Sequence, residues 1–66
     1  MSAKEAILDE LAAITANLDQ AQAEINASRL TYEDDEHLMH QLDRHQIRLN
    51  MLRTEIELAQ ARFKDL

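Results

Sequence analysis

Two stretches of the chain carry apolar residues at alternating intervals of four and three. In the first, Ile7, Leu11, Ile14, Leu18, Ala21 and Ile25 form the stripe. In the second it is Leu38, Leu42, His45, Leu49, Leu52, Ile56, Ala59, Phe63 and Leu66, with His45 as the one polar member. Such spacing is the a/d repeat of a coiled-coil seam and predicts two amphipathic helices. The two stripes are out of phase. The first register makes Asp35 a d position and the second makes it an a position, so the stripe is interrupted between Ser28 and Asp35. Thr31 can cap a new helix there, with Glu33, Asp34, Asp35 and Glu36 in its first turn, where acids suit the positive end of the helix dipole. Ser28 is the competing cap.

The reading is therefore an all-α chain of one domain, 1–66, folded as an antiparallel two-helix hairpin. Helix 1 is expected over 3–28, the turn over 29–32 and helix 2 over 33–65. The facing pairs become Ile25 with Leu38, Ala21 with Leu42, Leu18 with His45, Ile14 with Leu49, Leu11 with Leu52 and Ile7 with Ile56. The numbers of each pair total 63, which centres the turn between Thr31 and Tyr32. His45, opposite Leu18, is expected to be partly buried. The rival architecture is one long coiled-coil helix with a register slip.

Composition narrows the picture. There is no Gly, Pro or Cys among the 66 residues. Sheet proteins recruit Gly and Pro for their turns, whereas the abundant Ala, Leu, Glu, Gln and Arg are good helix formers. The absence of Cys leaves no disulfide framework. A core this small seldom outweighs the entropy of ordering the chain, which points to self-association or a partner as the source of stability.

Charge is unevenly spread. Residues 1–36 hold nine acids against Lys4 and Arg29, and residues 37–66 hold four acids against five bases, giving −7 and +1 of the net −6. The acidic half is a poor match for nucleic acid. Arg44, Arg48, Arg53, Arg62 and Lys64 are divided among several faces and interleaved with acids. No apolar run reaches the ~20 residues that cross a bilayer. The start Met1-Ser2-Ala3-Lys4 lacks the apolar core of a secretory signal. The expected location is cytoplasmic, or the host cytoplasm for a phage or viral protein.

Candidate chemistry is sparse. His37 and His40 lie near each other on a helix among acids, but the Glu-x-x-His pattern of bundle metal sites is missing, and the nearest match is Asp34-x-x-His37. No nucleophile stands beside a base. No catalytic residue, metal ligand, cofactor or small-molecule substrate is assigned, and the chain is expected not to be an enzyme.

The feature that calls for explanation is a second stripe on the back of helix 2. Ile47, Met51, Thr54, Leu58 and Ala61 occupy positions opposite the seam, where a solvated helix is polar. Ile47, Met51, Leu58 and Ala61, joined by Phe63 and Leu66 at the C-terminus, are the expected partner-binding residues. Phe63 and Leu66 should project past the facing end of helix 1. Helix 1 has a back of small residues, among them Ala13, Ala16, Ala23 and Ala27.

The length and the two-helix plan resemble two known groups. One is the Rop-type RNA regulators, hairpins that dimerise into a four-helix bundle. The other is the small hairpin co-chaperones of type III secretion needle subunits. The resemblance is one of architecture, and no functional residue follows from it. The expected function is a helical protein–protein interaction module, an adaptor or co-chaperone that binds a protein partner or itself through apolar helix faces. The alternatives are a Rop-like nucleic-acid-binding regulator acting as a dimeric bundle, and a phage or secretion assembly component.

Overall fold

A computed structural model describes residues 2–66. It contains two helices, α1 (Ala3–Thr31) and α2 (Glu36–Lys64), packed antiparallel as a hairpin about 50 Å long. The all-α hairpin read from the sequence is the fold, and the single continuous helix is not.

The helix ends differ from the expected ones for reasons visible in the caps. Ser2 caps α1 by accepting a hydrogen bond from the Glu5 amide at 3.2 Å. Thr31 was the expected cap of the second helix, but it ends α1 instead. Its hydroxyl donates back to the Ala27 carbonyl at 3.1 Å, inside the preceding helix. The cap of α2 is Asp35, extended at φ −100°, whose carboxylate accepts from the Leu38 amide at 3.1 Å. A carboxylate at a helix N-terminus gains from both the hydrogen bond and the dipole. The turn is thus carried by Tyr32–Asp35 rather than 29–32. Its backbone is tied by Tyr32 N–H to Ser28 O at 2.9 Å and Asp35 N–H to Tyr32 O at 3.0 Å. No described residue has positive φ, so this turn has no use for glycine.

The later turn shifts the pairing. With the turn centred between Glu33 and Asp34, facing residue numbers total about 67 instead of 63, in keeping with the Gln22–Gln46 contact. Leu18 comes level with Leu49, not His45. These two leucines are the whole of the buried core among the described residues, at 9% and 5% exposure.

The contact face is rotated as well. The buried and half-buried positions run Ile7, Leu8, Leu11, Thr15, Leu18, Ala21, Gln22, Ile25, Ser28, Arg29 on α1 and Leu38, Met39, Leu42, Gln46, Leu49, Arg53, Ile56, Ala59, Gln60, Phe63 on α2. The expected seam shares Ile7, Leu11, Leu18, Ala21 and Ile25 with the first set and loses Ile14, while Leu8, Thr15, Gln22 and Arg29 beside it join the contact. It shares Leu38, Leu42, Leu49, Ile56, Ala59 and Phe63 with the second and loses His45, Leu52 and Leu66. Met39, Gln46, Arg53 and Gln60 join there, so the contact face is turned only partway. His45 is exposed, contrary to expectation, because the helix turns Gln46 and Leu49 toward α1 in its place.

Candidate protein-binding faces

Rotation gives the hairpin two unlike sides. One is closed by polar groups. Gln22 and Gln46 exchange side-chain hydrogen bonds in both directions, each at 2.7 Å. Asn26 and Asn50, one turn further along each helix, accept from the same two amides at 3.0 and 2.9 Å. Arg29 pairs with Asp43 and Arg53 with Asp19, both at 2.8 Å. At the open end of the hairpin Lys4 Nζ donates to the Lys64 carbonyl at 3.2 Å, placing a cation on the negative end of α2. The ion pairs are solvent-accessible and contribute at most about 1 kcal/mol each.

The other side is an open apolar groove between the helices. Ala21 and Ile25 from α1 and Leu42, Leu49 and Leu52 from α2 line it, with His45 on the wall and Glu24 and Arg48 also lining it. Ile14 (37% exposed) and Leu52 (43% exposed) are large apolar seam residues left open along the middle of the hairpin. Ile7 and Ile14 extend the α1 wall by their seven-residue spacing from Ala21.

A third surface lies on the outer face of α2. Ile47 and Met51 are each 61% exposed and Leu58 62%. Ile47 and Met51 share a shallow depression with Arg44, Arg48, Leu52 and Glu55. Ala61 and Leu66 are exposed and Phe63 is partly buried. Phe63 was expected to overhang the end of α1, but the shifted pairing sets it level with Lys4. The structure thus brings Ile47, Met51 and Leu58 onto one exposed stripe. Phe63 belongs to the contact face instead. The exposed Leu30 and Tyr32, at the end of α1 and in the turn, are further apolar surface that sequence reasoning did not assign to a site.

Among the described residues no three side chains of His, Cys, Asp or Glu come together to hold a metal. His37 Nε2 lies 3.3 Å from Gln41 Nε2, one helical turn away. No described helix is long and apolar enough to cross a membrane.

No protein-family model, curated protein or solved structure matches the chain.

Proposed function

We propose that this chain is a helical protein–protein interaction module of the adaptor or co-chaperone kind, binding an amphipathic helix through the apolar faces it leaves open. The observation that carries the reading is the stripe Ile47, Met51 and Leu58. All three are about three-fifths exposed, and the hairpin's own packing uses none of them. Burying a side chain of this kind is worth ~1.5–3 kcal/mol, so a stripe of three supplies several kcal/mol before ordering and association costs are subtracted. An amphipathic helix laid along α2 matches the four-and-three spacing, which is how helices are read in grooves. The reading is of a binding protein, because the hairpin presents open apolar surfaces along its helices.

The test is Ile47→Glu with Leu58→Glu. Circular dichroism should show unchanged helicity, because both sites lie outside the contact between α1 and α2. Proteins retained by the immobilised wild-type chain from its source cell should be lost with the double variant and kept with the surface control Glu57→Lys. Retention of the same proteins by the double variant overturns the reading. So does a bound nucleic acid whose affinity falls steeply with salt, since an apolar helix interface has no such dependence.

A further inference from the structure

We infer that the open groove is closed by a second copy of this chain, in a two-fold dimer with both turns at the same end and α1 of each hairpin beside α2 of the other. The inference rests on the reading of the chain as a helix-binding module, but it concerns a different surface from the Ile47–Leu58 stripe.

The phase of the apolar stripe is the first argument. Within the hairpin, the a positions Leu11, Leu18, Leu42 and Leu49 face the other helix. Of the d positions, Ile7, Ala21, Leu38 and Ala59 are partly covered, and Ile14, His45 and Leu52 are left exposed on the groove side. At 3.5 residues per turn, the step from a d to an e position turns the contact face by roughly 50–100°. In a four-helix bundle both a and d point to the common axis, with one neighbour on the e side and another on the g side. Here the e side is occupied by α1 against α2 through Gln22, Arg29, Gln46 and Arg53. The g side, next to the half-open d residues, has no occupant. The stripe is phased for four helices, and the single chain provides two.

Size is the second argument. The face spanned by the two helix axes measures 50 by 16 Å, on the order of 800 Å² per copy, which is the contribution of each partner to a standard stable interface.

Charge selects the arrangement. Side chains on a helix lean toward its N-terminus, so across an antiparallel pair the converging partners lie several residues past level. Both ion pairs within the chain obey this: 29 with 43 and 19 with 53 each total 72, against 67 for level residues. On the unoccupied g side, the charged residues are Glu10 and Glu24 on α1 and Arg48, Glu55 and Arg62 on α2. All five are exposed and make no ion pair among the described residues. With α1 beside α2 of the second copy, Glu55 meets the neutral Asn17, and the charged pairs that also total 72 are Glu24 with Arg48 and Glu10 with Arg62. Each charged pair is of opposite sign and occurs twice by symmetry. The alternative two-fold dimer, with turns at opposite ends, sets α1 beside α1. By the same rule its converging pairs set Glu24 against Thr15 and Glu10 against Arg29, which Asp43 already holds, so neither Glu24–Arg48 nor Glu10–Arg62 is made.

The experiment is sedimentation equilibrium combined with double electron–electron resonance on the full chain carrying one nitroxide at Glu33→Cys in the turn. The expected result is a dimer with an inter-label distance of about 20–30 Å, two helix diameters apart at one end of the bundle. A monomer overturns the inference. A dimer with labels about 50 Å apart, the length of the hairpin, overturns the arrangement. Charge supplies an independent check that leaves the apolar core intact. Arg48→Glu should weaken the dimer by about tenfold, since it converts two exposed ion pairs into repulsions, and Glu24→Lys in the same chain should restore it. If Glu24→Lys alone tightens the dimer, the acids face each other and the inference fails. The two readings separate cleanly. Ile47→Glu with Leu58→Glu should leave the dimer intact; if it yields monomers, the outer stripe is the self-interface and the groove assignment is wrong. Loss of retained proteins in that variant with the dimer preserved supports both.

Discussion

The reciprocal pair Gln22–Gln46 is the most informative place to perturb the hairpin, because it decides which side is polar. Each amide donates to the other's oxygen at 2.7 Å and to an asparagine one turn along its own helix. Gln22→Leu leaves Gln46 with a half-buried amide and no partner across the pair. A stranded polar group costs roughly 1–3 kcal/mol when fully buried, and partial access to water brings the expected loss to about 1 kcal/mol. Gln46→Leu should cost the same, because the pair is nearly symmetric. Replacing both removes two polar groups together and places leucine against leucine in the contact face. Each partly buried leucine returns ~1 kcal/mol or more, so the double variant should be at least as stable as the wild type. The cycle therefore predicts a favourable coupling of about 2 kcal/mol between the two leucines, measured by urea denaturation of the four proteins at one fixed concentration. The double variant has a second effect. With both sides apolar, the hairpin loses the polarity that tells its two sides apart, and light scattering should report species larger than a dimer. Single variants whose losses simply add would refute the reasoning, because they would show that the glutamines are solvated and do not meet.

Other outcomes follow from the same contacts. Leu49→Ala removes the most buried side chain and should cost about 2–5 kcal/mol, enough to lose most of the helical signal at 222 nm in a chain this small. Asp35→Ala strips the cap of α2 and should lower stability by ~0.5–2 kcal/mol. Thr31→Ala, which leaves that cap in place, should change little by thermal melting. Arg29→Ala removes an exposed ion pair and should cost no more than about 1 kcal/mol in urea denaturation. His45→Leu places an apolar side chain on the groove wall. If the groove is closed by a second copy, it should tighten association by about 1–3 kcal/mol for the two symmetric sites, read by sedimentation equilibrium.

The helical content and the hairpin were legible in the sequence because they depend on period and composition, which the chain states many times over. The break between Ser28 and Asp35 was legible too. The register was not, and the reason lies in one choice between caps. Thr31 and Asp35 are both good N-caps, and each is followed by acids. Only the observed bond from the Leu38 amide to Asp35, with the Thr31 hydroxyl turned back on Ala27, settles the start of α2. Moving the turn by two residues moves every facing pair by four in total, and this is why Leu49 and not His45 stands level with Leu18.

The rotation of the contact face had a signal that the apolar pattern concealed. Gln22, Arg29, Gln46 and Arg53 recur at seven-residue spacing beside the seam, with Asp19 and Asp43 within reach. Treating the seam as the contact of two helices hid this, since two helices alone bury a narrow strip and leave the rest of a broad stripe to water. The outer stripe of Ile47, Met51 and Leu58 was fully legible, since exposed apolar residues at helical spacing need only the period to be found. What they bind is not written in the period.

Methyl relaxation by a soluble paramagnetic agent reads directly which apolar residues are covered in the free protein and which are left for a partner. In the wild-type chain at dimeric concentration, the Ile14 and Leu52 methyls should be protected to nearly the extent of Leu18 and Leu49. Ile47, Met51 and Leu58 should relax fast until a partner is added. If Ile14 and Leu52 relax as fast as Leu58, the groove is empty; if the outer stripe is the protected set, the two faces have been assigned the wrong way round.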